Sequence, residues 1–113
     1  MPESKMLTES ARFNMIEQQI RPWEVLDHGV LKLLSVVRRE DYVPAAYRDL
    51  AFADIEIPLS SNGQAMLPPR LEARMLQELA LRNTDTVLEV GTGSGFMAAL
   101  LAARAEFVYS VEI

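Results

Sequence analysis

Three glycines at alternate positions, Gly91, Gly93 and Gly95, lie between an apolar run and an Ala/Leu-rich stretch. No other part of the chain narrows the choice of fold as far. The run before them, Thr86-Val87-Leu88-Glu89-Val90, is short, mostly apolar and rich in β-branched residues, so it predicts a buried strand. After them, Phe96 to about Arg104 predicts a helix, with Phe96 and Leu100 four residues apart on one face. Phe107-Val108-Tyr109-Ser110-Val111 predicts a second strand, and Glu112 follows it. Strand, helix and strand within 26 residues, from 86 to 111, require a parallel pair with a crossover helix, since a hairpin needs no such connector. The crossover is expected to be right-handed. The fold class is therefore α/β.

The chain upstream reads differently. A helix is expected from about Ser10 to Ile20, with Phe13, Ile16 and Ile20 on one face, ended by Arg21-Pro22 because the residue before proline avoids helical geometry. Asp27 is a good N-cap for a second helix carrying Val30, Leu34 and Val37, with Arg38 and Arg39 completing its C-terminal end. Pro44 to Asp49 suits a short helical turn. Asp54 to Leu59 alternates, placing Ile55, Ile57 and Leu59 on one side of a short edge piece. Ser60-Ser61-Asn62-Gly63 is a turn cluster. Pro68-Pro69 introduces a helix to about Arg82, with Leu71, Met75 and Leu79 at four-residue steps. The expected organisation is an N-terminal helical region over residues 1–83, then an incomplete Rossmann-like unit over 84–113.

Composition removes several chemistries. There is no cysteine, which excludes a disulfide scaffold, a thiol nucleophile and thiolate metal sites. A single histidine, His28, cannot form a multi-histidine metal site in one chain. It lies at an expected helix cap, where a solvated role is expected rather than acid–base work. Trp23, next to Pro22, reads as a core or lid contact. The net charge of −5 argues against a general nucleic-acid surface. No leader-like segment and no apolar run of membrane-spanning length is seen, so no membrane partner and a cytoplasmic location are expected.

The glycine loop points to a ligand. A loop between a strand and a helix turns tightly, admits close approach to the backbone and offers the helix's free N–H groups. Glu112 lies 21 residues after Gly91, the spacing of an acid that accepts from ribose hydroxyls. A nucleoside-containing cofactor is expected. The loop lacks the lysine of a phosphate-cradling P-loop, and its G-x-G-x-G spacing departs from the dinucleotide G-x-G-x-x-G.

Glu89-x-Gly91-x-Gly93-x-Gly95 resembles motif I of class I methyltransferases that use S-adenosylmethionine. The block from Val87 to Phe96 is similar to that of the protein-L-isoaspartate O-methyltransferases. The likeness extends to Asp41-Tyr42-Val43-Pro44, Ala51-Phe52-Ala53-Asp54, Ile57-Pro58-Leu59, Gly63-Gln64, Ala73-Arg74-Met75-Leu76 and Val108-Tyr109-Ser110-Val111-Glu112, roughly residues 13 to 112. The resemblance implies methyl transfer from S-adenosylmethionine to isoaspartyl carboxylates of a damaged protein or peptide. It also implies a cofactor site of Glu89, Gly91, Thr92, Gly93, Ser94, Gly95 and Glu112, with Glu89 near the methionine end and Glu112 on the ribose.

Two departures stand out. The family's Thr-Ile-Ser-Gln-Pro is Ala65-Met66-Leu67-Pro68-Pro69 here, so the active-site serine falls on Leu67, which has no hydroxyl, and no catalytic residue is assigned. The chain also stops at Ile113, before the later strands of such a sheet, which reads as a fragment, inactive alone and prone to self-association. A methyltransferase with another acceptor and a non-catalytic binding module are the alternative readings.

Overall fold

The computed structural model describes residues 2–59 and 63–111, so the Ser60–Asn62 part of the expected turn and the acid Glu112 lie outside the described residues. Helix α1 spans Pro2–Met15 and widens into a π-helical stretch, Ile16–Ile20, followed by a 3-10 turn, Arg21–Trp23. Arg21 N–H donates to the carbonyl of Ile16, five residues back. The widening falls where Pro22 removes the next donor and its ring crowds the preceding turn. Proline thus loosens the helix before the chain turns, instead of stopping it at residue 20. Of the expected face, Ile16 and Ile20 are buried but Phe13 is exposed. The buried partner from the preceding turn is Met15.

Helix α2, His28–Val36, begins at Asp27, whose Oδ2 accepts from Val30 N–H at 3.0 Å. Val30 and Leu34 are buried as expected, while Val37 already has extended geometry and caps the helix. Arg38 and Arg39 therefore do not complete α2. They open a separate 3-10 turn, Arg39–Tyr42, and Arg39 is buried. A further 3-10 turn spans Ala45–Leu50. Strands β1 (Ile57–Pro58) and β2 (Ala65–Met66) form a small antiparallel pair in which Ile57 and Met66 point into the core.

Helix α3, Pro69–Leu79, is shorter than its expected span. Ala80 caps it in the left-handed region at φ 48°. Its buried face is Glu72, Ala73 and Leu76, whereas Met75 and Leu79 are about half exposed. The expected stripe of Leu71, Met75 and Leu79 is thus not the core face. The pairing of Glu72 with buried Arg39 rotates a carboxylate inward, a choice hydrophobic spacing cannot foresee.

Strands β3 (Thr86–Val90) and β4 (Phe107–Val111) pair in parallel, with Thr86 opposite Phe107 and Val90 opposite Val111, and helix α4 (Phe96–Arg104) is their crossover. One sheet face, with Val87 and Val108, packs on the helices. The other carries Leu88, Val90, Phe107, Tyr109 and Val111, all exposed. Here β3 is not buried on both faces, and β4 is its one partner among the described residues. A single core joins Met15, Ile20, Val25, Leu34, Leu76 and Leu100, so residues on both sides of position 84 share it.

Candidate functional site

The site forms at the C-terminal end of β3, where the chain passes into α4. Gly91, Gly93 and Gly95 all have positive φ (88°, 58° and 88°), a region other residues enter only with strain. The loop closes on itself and on β4: Gly91 N–H donates to the Val111 carbonyl at 2.6 Å, and Gly95 N–H to the Thr92 carbonyl at 3.1 Å. Ser94 Oγ accepts from Phe96 N–H at 3.2 Å, across Gly95, the N-cap of α4.

Glu89 is half-buried on the covered face of β3, and its Oε1 accepts from Ser110 Oγ at 2.7 Å. Ser110 Oγ lies 2.6 Å from Thr92 Oγ1. With the Ser110 proton committed to Glu89, Thr92 donates, so a relay from Thr92 through Ser110 fixes the Glu89 carboxylate. The structure thus brings Glu89, Thr92, Ser94 and the three glycines together, and adds Ser110, which sequence reading passed over. Its signal was the parallel register, which sets Ser110 opposite Glu89.

A cavity of about 390 Å³ opens between this loop and α3. Glu89, Gly91, Thr92, Gly93 and Ser94 line one wall, and Leu67, Glu72 and Met75 line the other. Leu67 is 37% exposed and presents an alkyl side chain to this space. Its carbonyl accepts from Arg39 Nη2 at 2.8 Å.

Arg39 is the residue that hydrophobic patterning most misread. It is 1% exposed, and its Nη1 meets Glu72 Oε1 at 2.6 Å. Burial pushes the Glu72 carboxyl above its ordinary range, against the pull of Arg39, and the nearby Glu89 charge adds to the rise. His28 is exposed, and Trp23, expected as a core or lid contact, is 38% exposed with its ring under the Arg70 guanidinium at 4.1 Å. No helix among the described residues is long and apolar enough to cross a membrane, and no group of three metal-ligating side chains is found among them.

Residues 10–112 match the model of the protein-L-isoaspartate(D-aspartate) O-methyltransferase family. The chain belongs to that family. It is 42% identical over 105 residues to protein-L-isoaspartate O-methyltransferase 2 of Anaeromyxobacter sp. (strain Fw109-5), covering 93% of this chain and 43% of the relative. It is 41% identical over 101 residues to the protein-L-isoaspartate O-methyltransferase of Koribacter versatilis (strain Ellin345), covering 89% and 45%. A Plasmodium falciparum chain assigned as a protein-L-isoaspartate O-methyltransferase, crystallised with S-adenosyl-L-homocysteine, superposes with a TM-score of 0.72 at 20% identity, over 92% of this chain and 48% of that one. The chain therefore spans about half the length of the curated relatives it matches.

Proposed function

We propose that this chain supplies the cofactor-binding part of an S-adenosylmethionine-dependent methyltransferase acting on isoaspartyl carboxylates of altered proteins. The observation that carries the reading is the glycine loop at the mouth of the cavity, with a positioned carboxylate, Glu89, at its base. The cavity lies within the usual range for small-ligand sites and combines apolar walls with few polar groups, which suits a nucleoside thioether. The loop also carries no lysine, as expected for a ligand without phosphates.

Bound there, the cofactor would supply an activated methyl on a sulfonium. Glu89, held by Ser110, would receive the amino group of the methionine end. The loop backbone from Gly91 to Gly95 would lie against the ligand, and Glu112 would accept from the ribose hydroxyls. The walls formed by Leu67 and Met75 would exclude water and help align the acceptor oxygen, which is most of the work an in-line displacement needs. The division near residue 84, with the cofactor-binding unit beginning at β3, belongs to the same proposal. So does a cytoplasmic location.

Calorimetry with S-adenosyl-L-homocysteine on the full natural polypeptide tests this. Glu112→Ala is expected to weaken binding by about 1.5–3 kcal/mol, the worth of a charge-assisted hydrogen bond. Unchanged affinity would remove Glu112 from the site. Methyl incorporation into an isoaspartyl peptide tests the acceptor. Leu67 favours a second reading, a changed acceptor, because its side chain in the cavity wall cannot donate to a carboxylate. Cofactor binding with no transfer to isoaspartyl peptide, but transfer to another nucleophile, would select that reading. Binding with no transfer at all would select a non-catalytic module.

A further inference from the structure

Arg39 is the largest fully buried side chain among the described residues, and its three kinds of nitrogen serve three different segments. Nε donates to the Ala51 carbonyl at 2.8 Å, Nη1 to Glu72 Oε1 at 2.6 Å, and Nη2 to the Leu67 carbonyl at 2.8 Å. The guanidinium also lies over the Phe96 ring, 4.9 Å from its centroid. Phe96 is the first residue of α4, directly after the glycine loop, and Tyr42 meets its ring edge-to-face at 5.6 Å. Leu67 and Glu72 line the cavity wall opposite the loop. One cation therefore touches the 65–68 segment and α3, which carry one wall of the cavity, and Phe96, which directly follows the glycine loop that carries the other.

We propose that Arg39 is a positioning residue for methyl transfer, fixing the backbone at Leu67 at a set distance from the glycine loop so that acceptor and cofactor meet in line. The proposal rests on the methyltransferase reading of the cavity. Stability alone is a poor reason for such a residue, because well-packed apolar groups often replace a buried ion pair at no cost. Geometry is a better one. Leu67 lies past the end of the two-residue strand β2, and its side chain has no polar atom to anchor it. A planar fork directed at a carbonyl, a carboxylate and an aromatic ring supplies that anchor, and a lysine's single ammonium cannot hold all of them. Errors near 1 Å between reacting groups cost on the order of a hundredfold in rate.

The test uses the full natural polypeptide with Arg39→Lys and, as a control for lost stability, Glu40→Gln. Arg39→Lys is expected to bind S-adenosyl-L-homocysteine within about threefold of the wild type. Its kcat on an isoaspartyl peptide should fall by about 10–100-fold, with little change in the KM for cofactor. Its Met66 and Leu67 amides should exchange faster, while those of residues 100–103 in α4 keep their protection. Glu40→Gln weakens the other buried ion pair, with Arg12, and does not line the cavity, so its kcat should stay within about threefold while its melting temperature falls. Equal kcat losses in the two variants, tracking their melting temperatures, would make Arg39 merely structural and overturn the proposal. So would a wild-type kcat in Arg39→Lys. If the wild type transfers no methyl group, the methyltransferase reading fails, and amide exchange then decides the placement of Leu67 by itself: faster exchange at Met66 and Leu67 alone upholds it, and unchanged exchange overturns it.

Discussion

Helix α4 lies between two very different environments. Towards α2 and α3, apolar residues such as Ile20, Val25, Leu34 and Leu76 are 0–2% exposed, and charges that enter do so as pairs. Beyond α4, the outer face of the β3–β4 sheet leaves Leu88 at 65%, Val90 at 66% and Tyr109 at 57% exposed. Residues of the same chemistry are closed on one side and open on the other. A parallel strand with apolar residues on both faces is built to be covered on both. Local sequence specifies the strand, but only a neighbouring element can cover its second face.

The sharpest way to break the closed side is to strand one of its charges. Arg39→Met leaves Glu72 buried without a counter-ion and releases the carbonyls of Ala51 and Leu67, so a loss of about 3–5 kcal/mol is expected in denaturant unfolding. Pairing it with Glu72→Met should recover much of that loss. A double variant as weak as the single one would show that the carbonyl contacts dominate.

Cavity formation compares the two sides directly. Leu100 is 0% exposed, and Leu100→Ala should cost roughly 2–5 kcal/mol. Leu88→Ala, the same deletion on the open face, should cost under about 0.5 kcal/mol in the 113-residue chain. Equal losses from the two variants would mean that the outer face is closed in solution.

Acid separates the two buried ion pairs. Arg12 forks onto Glu40 at 2.8 and 2.7 Å, and that guanidinium holds the Glu40 carboxyl below its ordinary range despite burial. Its stabilisation is therefore complete above the usual carboxylate pKa and is lost as pH falls through the lowered value. Glu72 runs the other way. Its folded pKa is raised, so its favourable contribution is complete below the usual value and is lost as pH rises through the raised one. The stability gap between wild type and Glu40→Gln should widen from pH 3 to 6, reaching about 2 kcal/mol. The gap for Glu72→Gln should change in the opposite sense. Parallel pH profiles would contradict the assignment of one of the two pairs.

These contrasts mark what was legible in the chain. The βαβ unit was readable because its signals are local: β-branched runs, positive-φ glycines, and a helix with Phe96 and Leu100 on its buried face. The Asp27 cap was readable for the same reason. The end of α3 was not, because Ala80 takes a left-handed cap that glycine ordinarily marks, and Asp85 closes the following loop by accepting from Arg82 N–H at 2.7 Å. The inward faces of α1 and α3 were misread because Arg12 and Glu72 are buried by partners 28 and 33 residues away, beyond any helical period. The site followed the same rule. The glycines and Glu89 were visible as a motif, whereas Ser110 and Arg39 act through register and tertiary contact.

The smallest expected effect bears most directly on the open face. Leu88→Lys with Val90→Lys places two charges where apolar side chains now meet water. If that face is exposed, folding stability of the 113-residue chain should move by no more than about 0.5 kcal/mol, as at other surface positions. Self-association should respond far more, since an uncovered apolar face beside a free strand edge recruits other chains and inserted lysines oppose that pairing. Light scattering is expected to show an associated wild-type chain and a variant shifted towards monomer at the same concentration. A monodisperse wild type with protected amides from Thr86 to Val111 would mean that the helices complete the core without help. A stability loss well above 1 kcal/mol would mean that Leu88 and Val90 are covered in the associated state, and that association contributes to folding rather than following from it.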